Sequence, residues 1–286
     1  MSYTFELKNS VKILNIEIDN TSVKAILTQL KKGVVLTPNV DHLMKLQHDP
    51  DFYQIYALAD YKICDSQILL YASIFLGTPL QEKISGSDLL PAFCEFHKEN
   101  SDVAIFLLGG MEGVPEKATT RINQKIGREI VTGAYSPPFG FESDEQESLE
   151  IVERIKQSGA TVLAVGVGAP KQEKWIYSYK DQLPMVKIFM AVGAAINFEA
   201  GVIQRAPQWM SSLGIEWLYR LFSEPTRLWK RYFIDDLPFF YLLIKQRLNL
   251  YQDPIVSREA KEKLRQEKEK GRSKMPILPF QVRDKK

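Results

Sequence analysis

Short apolar runs alternate with amphipathic stretches over the first two hundred residues of the chain. The apolar runs are rich in β-branched residues and predict strands at 34–36, 61–64, 103–108, 129–132, 161–167 and 186–192. Helical periodicity between them predicts helices at 40–57, 67–76, 87–100 with Ser87 as N-cap, 114–127, 145–158 and 172–183. Strands that alternate with helices are typical of a mostly parallel sheet covered on both faces. The pattern therefore predicts an α/β, Rossmann-like fold.

The pattern changes after Gly201. Aromatic residues and arginines interleave there, and the spacing predicts helices broken near Pro225 and Pro238, without strands. We therefore expect three parts: an α/β body over 1–204, a helical appendage over 205–253, and a charged, flexible tail over 254–286.

The net charge of +2 conceals an uneven distribution. Residues 205–286 carry 18 Lys/Arg and 10 Asp/Glu, which is +8, whereas the remaining 204 residues carry 19 and 25, which is −6. Such an imbalance predicts that the C-terminal part contacts something anionic, whether nucleic acid, a phosphorylated substrate or anionic lipid. A solvated helical tail is the alternative interpretation.

The overall composition, 45% hydrophobic and 25% charged, is typical of a globular protein and excludes global disorder or a collagen-like rod. Two cysteines are too few for a disulfide scaffold or a zinc cluster. The N-terminus does not resemble a signal peptide. The longest apolar runs, 68–76 and 237–244, are shorter than the ~20 residues of a membrane-spanning helix. We therefore expect a cytoplasmic protein that can still contact a membrane.

Ligands of parallel α/β sheets bind beyond the carboxyl ends of the strands. The residues that follow the predicted strands are Thr37–Asn39, Asp65–Ser66, Gly109–Gly110 and Gly168–Glu173. Within the last group, Gln172 and Glu173 are expected to project from the first turn of a helix toward the ligand. These four segments are the candidate site.

Each segment also has a purely structural interpretation. Asn39 and Asp65 could cap the helices that follow them, although a carboxylate at the position of Asp65 could equally act as a general base. Gly109–Gly110 could contact a nucleotide phosphate or form a tight turn, since the third glycine of a dinucleotide fingerprint is not at its spacing. His42 is expected to be structural. Asp49-Pro50-Asp51 has the Asp-x-Asp pattern of metal sites, but it lies at the far end of a helix.

Taken together, several segments resemble the WecG/TagA/CpsF family of glycosyltransferases. The resemblance covers about residues 10–235 and rests on Thr37–His42, Asp65–Ser66, Ile84–Leu89, Phe106–Gly110, Val165–Glu173, Arg205–Pro207, Glu216–Arg220 and Glu224–Arg227. No single segment would be specific, but their combination in this order is.

The resemblance implies an inverting transfer of a sugar from a UDP-sugar to a polyprenyl-diphosphate-linked saccharide, in the synthesis of bacterial cell-surface polysaccharides such as exopolysaccharide or cell wall. N-acetylmannosamine, its uronic acid and a hexose such as glucose are the donor sugars it allows. It implies no metal and no other cofactor. It also implies that the α/β body is catalytic. The appendage would close the site and hold the protein peripherally at the inner face of the plasma membrane.

The resemblance assigns roles to individual residues. Asp65 would be the general base, and the substrate-binding residues would be Thr37, Asn39, Lys83, Gly109, Gly110, Gln172, Arg205, Arg220, Arg227 and Arg231. Three positions depart from the family pattern. Ser66 replaces the usual glycine, Lys83 replaces an arginine and so loses its bidentate fork, and Asn197 replaces an aspartate. The last change leaves the donor sugar open.

Two other functions are compatible with parts of the chain. A Rossmann-type sugar-nucleotide or nicotinamide oxidoreductase would use the glycine turn, but its fingerprint is broken. A nucleic-acid-binding module would use the basic, aromatic C-terminal part. We expect no nucleic acid among the partners.

The segment Phe239–Ile244 is predicted to contact the membrane interface, with burial in a homo-oligomer as its alternative.

Overall fold

The computed structural model describes residues 9–207, 210, 216–223 and 225–255. Two short strands form an antiparallel hairpin, β1 (Ser10–Ile13) and β2 (Ile16–Asp19). The main sheet consists of β3 (Gly33–Leu36), β4 (Tyr61–Lys62), β5 (Ile105–Gly109), β6 (Val131–Tyr135), β7 (Val162–Gly166) and β8 (Ile188–Ala191). All its pairings are parallel, in the order β4-β3-β8-β7-β5-β6. The predicted parallel α/β sheet is therefore confirmed.

Helices connect the strands and cover both faces of the sheet. They are α1 (Val23–Gln29), α2 (Val40–Lys45), α3 (Pro50–Leu58), α4 (Gln67–Phe75), α5 (Gly86–Phe96), α6 (Val114–Ile126), α7 (Glu145–Gln157), α8 (Lys171–Tyr179) and α9 (Ala195–Glu199). Short 3₁₀ turns lie at Phe141–Ser143 and Lys180–Gln182. Successive side chains of a strand point to opposite faces, so β5 contributes Ile105 and Leu107 to one core and Phe106 and Leu108 to the other.

Two predicted helix boundaries were wrong. The single helix expected over 40–57 is two helices, because Asp49 caps a new one and Pro50 occupies its first position, where a missing N–H costs nothing. The N-cap of α5 is Ser85, whose side chain accepts from the Asp88 N–H at 3.2 Å, and not Ser87.

The pattern assigned no element before residue 34, where the structure has the β1–β2 hairpin and α1. Val11, Ile13, Ile16 and Ile18 of the hairpin are buried and alternate with more exposed positions. This period-two alternation was visible in the sequence, but two four-residue strands joined by Leu14-Asn15 are short for a pattern-based assignment.

Most of the described part of the appendage is helical, with a break before Pro238, whereas residue 224, next to the other predicted break, lies outside the described residues. The appendage contains α10 (Glu216–Ser223), α11 (Pro225–Lys230), a π-helical turn (Arg231–Asp235) and α12 (Pro238–Arg247). None of the helices in the described ranges is long and apolar enough to cross a membrane. Residues 256–286, most of the predicted tail, lie outside the described residues.

The last helix is docked on the body. Phe239 and Leu243 of α12 are buried in the same core as the hairpin. The side chain of Gln246 accepts from the Leu14 N–H at 2.7 Å and donates to the Lys12 carbonyl at 2.9 Å. The body and α12 therefore share one hydrophobic core, and the division at residue 204 stays a prediction.

Candidate functional site

A cleft of about 1840 Å³ lies at the carboxyl ends of the parallel strands. The loops after β3, β4, β6, β7 and β8 and the Gly110–Gly113 turn after β5 form its walls. The appendage closes one side with Glu216, Trp217, Arg231–Phe233, Asp235–Leu237 and Phe240. Seven of the predicted site residues line this one cleft: Thr37, Asn39, Asp65, Lys83, Gly110, Gln172 and Arg231.

Closely stacked glycines form the base of the cleft. A Cβ on Gly109 would lie 2.5 Å from the Gly166 carbonyl oxygen, and one on Gly166 would lie 2.6 Å from that of Gly193. Gly109 also has a φ of +131°, which L side chains rarely adopt. It is buried at the end of β5 and does not line the cleft, whereas Gly110 does, so the predicted contact of Gly109 with substrate stays a prediction.

The end of β3 carries Thr37 and Asn39. The buried Thr37 hydroxyl donates to the Ala191 carbonyl at 3.1 Å and so ties the end of β3 to that of β8. Asn39 caps α2 by accepting from the His42 N–H at 3.2 Å, and the same oxygen accepts from Arg231 at 3.3 Å. Asn39 therefore serves both as a cap and as a contact between body and appendage.

Asp65 follows β4 on the cleft wall. Its backbone N–H donates to the Pro38 carbonyl at 3.0 Å, and this bond fixes the loop beside the end of β3. Ser66, not Asp65, caps α4, since the serine hydroxyl accepts from the Leu69 N–H at 3.4 Å. The sequence left both interpretations of Asp65 open, and the capping one is wrong.

Lys83 reaches the appendage across the cleft. The Ile84 N–H donates to the Cys64 carbonyl at 2.7 Å, which places the Lys83 loop next to the Asp65 loop. The Lys83 ammonium lies 3.5 Å from the carboxylate of Glu216 in α10. A cation and the candidate base are thus held on adjacent loops.

Arg231 lies among carboxylates. Its guanidinium is 3.6 Å from Asp236 and 3.9 Å from Asp41, and Lys45 is 2.6 Å from Asp41. Burial opposes ionisation of Asp41, but Arg231 and Lys45 hold its pKa below the usual value. Burial raises the pKa of Asp236 to about 6 despite Arg231. The cleft therefore holds two cations that protein carboxylates keep oriented.

Gln172 and Glu173 differ in orientation. Gln172 lines the cleft, and its side-chain oxygen accepts from the Gly168 and Gly193 N–H groups at 3.3 and 3.2 Å. Glu173 was expected to project toward the ligand, which was wrong, because its side chain is fully buried. It accepts from the Gln172 amide at 2.8 Å.

Arg205 does not line the cleft. Arg205 pairs with Asp88 at 2.7 Å and donates to the Ser87 carbonyl at the start of α5, half exposed to solvent. The side chains of Arg220 and Arg227 lie outside the described part of the structure. Their predicted contact with substrate stays a prediction.

The remaining motifs have structural contacts in this fold. Burial lowers the pKa of His42 to about 3, and its Nδ1 lies 2.6 Å from the Tyr56 hydroxyl. Asp49 caps α3 and pairs with Lys174 at 2.7 Å. The described residues contain no cluster of three or more His, Cys, Asp or Glu that could hold a metal ion.

Sequence reasoning missed several residues of the cleft. The 135–142 loop contributes Phe139, whose fully exposed ring lies 4.5 Å from the Lys171 ammonium. Lys45 and Asp236 were missed as well. For Lys45 a signal existed, since Asp41 and Lys45 are one helical turn apart. Asp236 meets them only through tertiary packing, which no local pattern shows.

The chain was compared with known protein families. A model of the glycosyl transferase WecG/TagA/CpsF family matches residues 11–253, which includes all strands of the main sheet, the described appendage and all the residues of the cleft.

Proposed function

The chain belongs to the WecG/TagA/CpsF family of glycosyltransferases, and from this premise we propose that it moves a sugar from a UDP-sugar to a polyprenyl-diphosphate-linked saccharide, with Asp65 as the general base. The family is associated with the synthesis of cell-surface polysaccharides. The observation that carries the proposal is the position of Asp65. It lies on the wall of a cleft large enough for a nucleotide sugar, on a loop beside that of Lys83, and Arg231 lines the same cleft.

The proposed chemistry is a single displacement. Asp65 takes the proton of the acceptor hydroxyl as its oxygen attacks the anomeric carbon. The bond from that carbon to the donor phosphate breaks, and UDP leaves with the bonding electron pair. Attack on the face opposite the leaving group inverts the anomeric centre.

Charge on the departing diphosphate must be balanced in the transition state. Preorganised donors at the position where charge develops provide this stabilisation. In the proposed complex, Arg231 and Lys45 supply it, together with the N–H groups at the edge of the glycine loops. Both cations are already held in place by carboxylates, so little reorganisation is needed.

The donor sugar is proposed only as a class. The candidates are N-acetylmannosamine, its uronic acid and a hexose such as glucose. Asn197 lines the cleft, and we expect this residue to determine which of these sugars binds. An amide accepts and donates hydrogen bonds, whereas the aspartate of the family pattern only accepts.

The direct experiment is a donor panel. Purified protein is incubated with UDP-sugars of the three classes and a short-chain lipid-diphosphate saccharide, and UDP release and lipid product are measured. We expect one class to give acceptor-dependent UDP release. If no UDP-sugar is consumed while a nicotinamide cofactor is turned over, an oxidoreductase would replace the proposal.

We expect transfer to be metal-independent. Asp49, the first carboxylate of the Asp-x-Asp motif, already caps a helix and pairs with Lys174, and the proposed diphosphate site is built from cations. Activity in excess chelator should equal that in buffer, with a metal-dependent glycosyltransferase as the positive control for chelation. Restoration of a lost activity by added magnesium or manganese would overturn this prediction.

We also propose that the appendage contacts the membrane. Phe239 and Leu243 face the core, whereas Phe240, Tyr241 and Ile244 are about half exposed or more on the other side of α12. Lys245 and Arg247 end the helix with positive charge. An apolar face bordered by cations is typical of a segment that lies in the membrane interface.

A paired substitution tests this contact. Tyr241→Ser with Ile244→Ser removes two exposed apolar side chains that do not line the cleft, and leaves the docked face intact. Full burial of such a side chain contributes about 1.5–3 kcal/mol, and each is only about half exposed before binding, so binding to anionic liposomes should weaken by on the order of 10- to 100-fold. Cosedimentation measures it, and Phe96→Ser, an exposed aromatic on α5, is the control. Equal liposome binding by the paired variant and wild type would refute the contact.

A further inference from the structure

Gln172 connects two loops of the cleft. Its side-chain oxygen accepts from the Gly168 N–H after β7 and from the Gly193 N–H after β8, at 3.3 and 3.2 Å. Both loops line the cleft. A carbonyl oxygen has two lone pairs, so these two bonds use its full capacity. The amide therefore fixes the separation of the two loops.

This arrangement works only in one orientation of the amide. If the side chain were flipped, the NH₂ group would face two N–H donors and both hydrogen bonds would be lost. The NH₂ group needs an acceptor on the opposite side, and Glu173 provides it at 2.8 Å. The Glu173 side chain has no solvent exposure, so water does not compete for this bond.

We propose that Glu173 is a positioning residue for the transfer reaction: it acts through Gln172, whose amide orientation sets the spacing of the Gly168 and Gly193 loops that hold the donor. This inference rests on the proposed function for its kinetic consequence. Its structural part does not rest on that function: a buried carboxyl controls the positions of two backbone N–H groups.

The role of Glu173 requires an acceptor oxygen rather than a negative charge. One carboxyl oxygen accepts from Gln172, whereas the other is buried and makes no hydrogen bond. Burial raises the pKa of this carboxyl to about 7, so its neutral form is accessible near neutral pH. A neutral side chain of the same shape that keeps the accepting oxygen should therefore replace it.

Two substitutions separate these requirements. Glu173→Gln keeps an oxygen that can accept from Gln172, whereas Glu173→Met has similar length and no such acceptor. With Met, we expect the affinity for UDP, measured by calorimetry, to fall about tenfold, because a buried amide loses its partner. The donor KM should rise by the same factor while kcat stays within about threefold, since the loops bind the ground state and the transition state alike. With Gln, UDP affinity should return to within about threefold of wild type.

A second measurement does not depend on activity. Hydrogen exchange of the Gly168 and Gly193 N–H groups, followed by NMR in glycine-labelled protein, should accelerate about tenfold in Glu173→Met and recover in Glu173→Gln. In a double-mutant cycle, Gln172→Met should abolish the further effect of Glu173→Met.

The inference fails if Glu173→Met exchanges these two N–H groups as slowly as wild type. It also fails if Glu173→Gln is as impaired as Glu173→Met, or if the Gln172 and Glu173 effects add. If wild-type protein does not bind UDP, the proposed function falls, and the exchange measurement alone decides the role of Glu173.

Discussion

Asp65→Asn should nearly abolish sugar transfer while the protein stays folded and binds UDP. The substitution changes the size of the side chain little and removes its negative charge, and with it the ability to take a proton. Loss of a positioned general base lowers the rate by about 10²–10⁴-fold. Because Ser66 caps α4 and the Asp65 backbone N–H holds the loop, neither structural contact is lost. Initial rates with a saturating UDP-sugar measure the loss of transfer. Calorimetry measures whether UDP binding is kept.

Asp51→Asn is the matched control for this variant. It makes the same chemical change at an exposed position in the first turn of α3, and its rate should equal that of wild type. Near-normal turnover by a folded Asp65→Asn protein would remove Asp65 as the base. The proton would then have to go to another group of the cleft.

Arg231→Ala should produce the second largest loss. Removing one preorganised donor from a site of developing negative charge costs about 10²–10³ in kcat. The substitution also leaves Asp41 and Asp236 without the guanidinium that faces both of them. The kcat of Arg231→Lys should lie between those of wild type and Arg231→Ala, because lysine keeps the charge but loses the planar fork. The measurement is kcat with an acceptor in detergent, so that membrane binding does not contribute.

The control for charge is Arg247→Ala, an exposed arginine in the last turn of α12. It removes the same charge from the appendage, and an exposed charge contributes at most about 1 kcal/mol, so turnover should fall less than about fivefold. If both variants lose activity equally, Arg231 acts through overall charge and not through its position in the cleft.

The sheet could be predicted from sequence because its signal is local. Each strand of a parallel sheet is buried on both faces. For this reason β5 and β7 are uninterrupted apolar runs, and each ends in a glycine. The hairpin lacked such a run, since only alternate side chains of Val11 to Ile18 enter the core. The order of the strands could not be predicted, because it depends on crossovers that leave no local pattern.

The candidate site was predictable where it follows a strand. Thr37, Asp65 and Gln172 come directly after apolar runs, and the topology brings them into one cleft. The opposite orientations of Gln172 and Glu173 could not be read from sequence, because both lie in the same helical turn and only packing buries Glu173. The burial of Phe239 and Leu243 against the body was not predicted, because their apolar run was assigned to the membrane interface, and that contact stays a prediction.

The stereochemistry of the product tests the central claim most directly. Wild-type protein is incubated with the UDP-sugar selected by the donor panel and the lipid-diphosphate saccharide, and the anomeric configuration of the new linkage is determined by NMR. A single displacement with Asp65 as base predicts complete inversion relative to the donor. Retention of configuration would require either two displacements at the anomeric carbon or attack from the face of the leaving group, and would contradict the account.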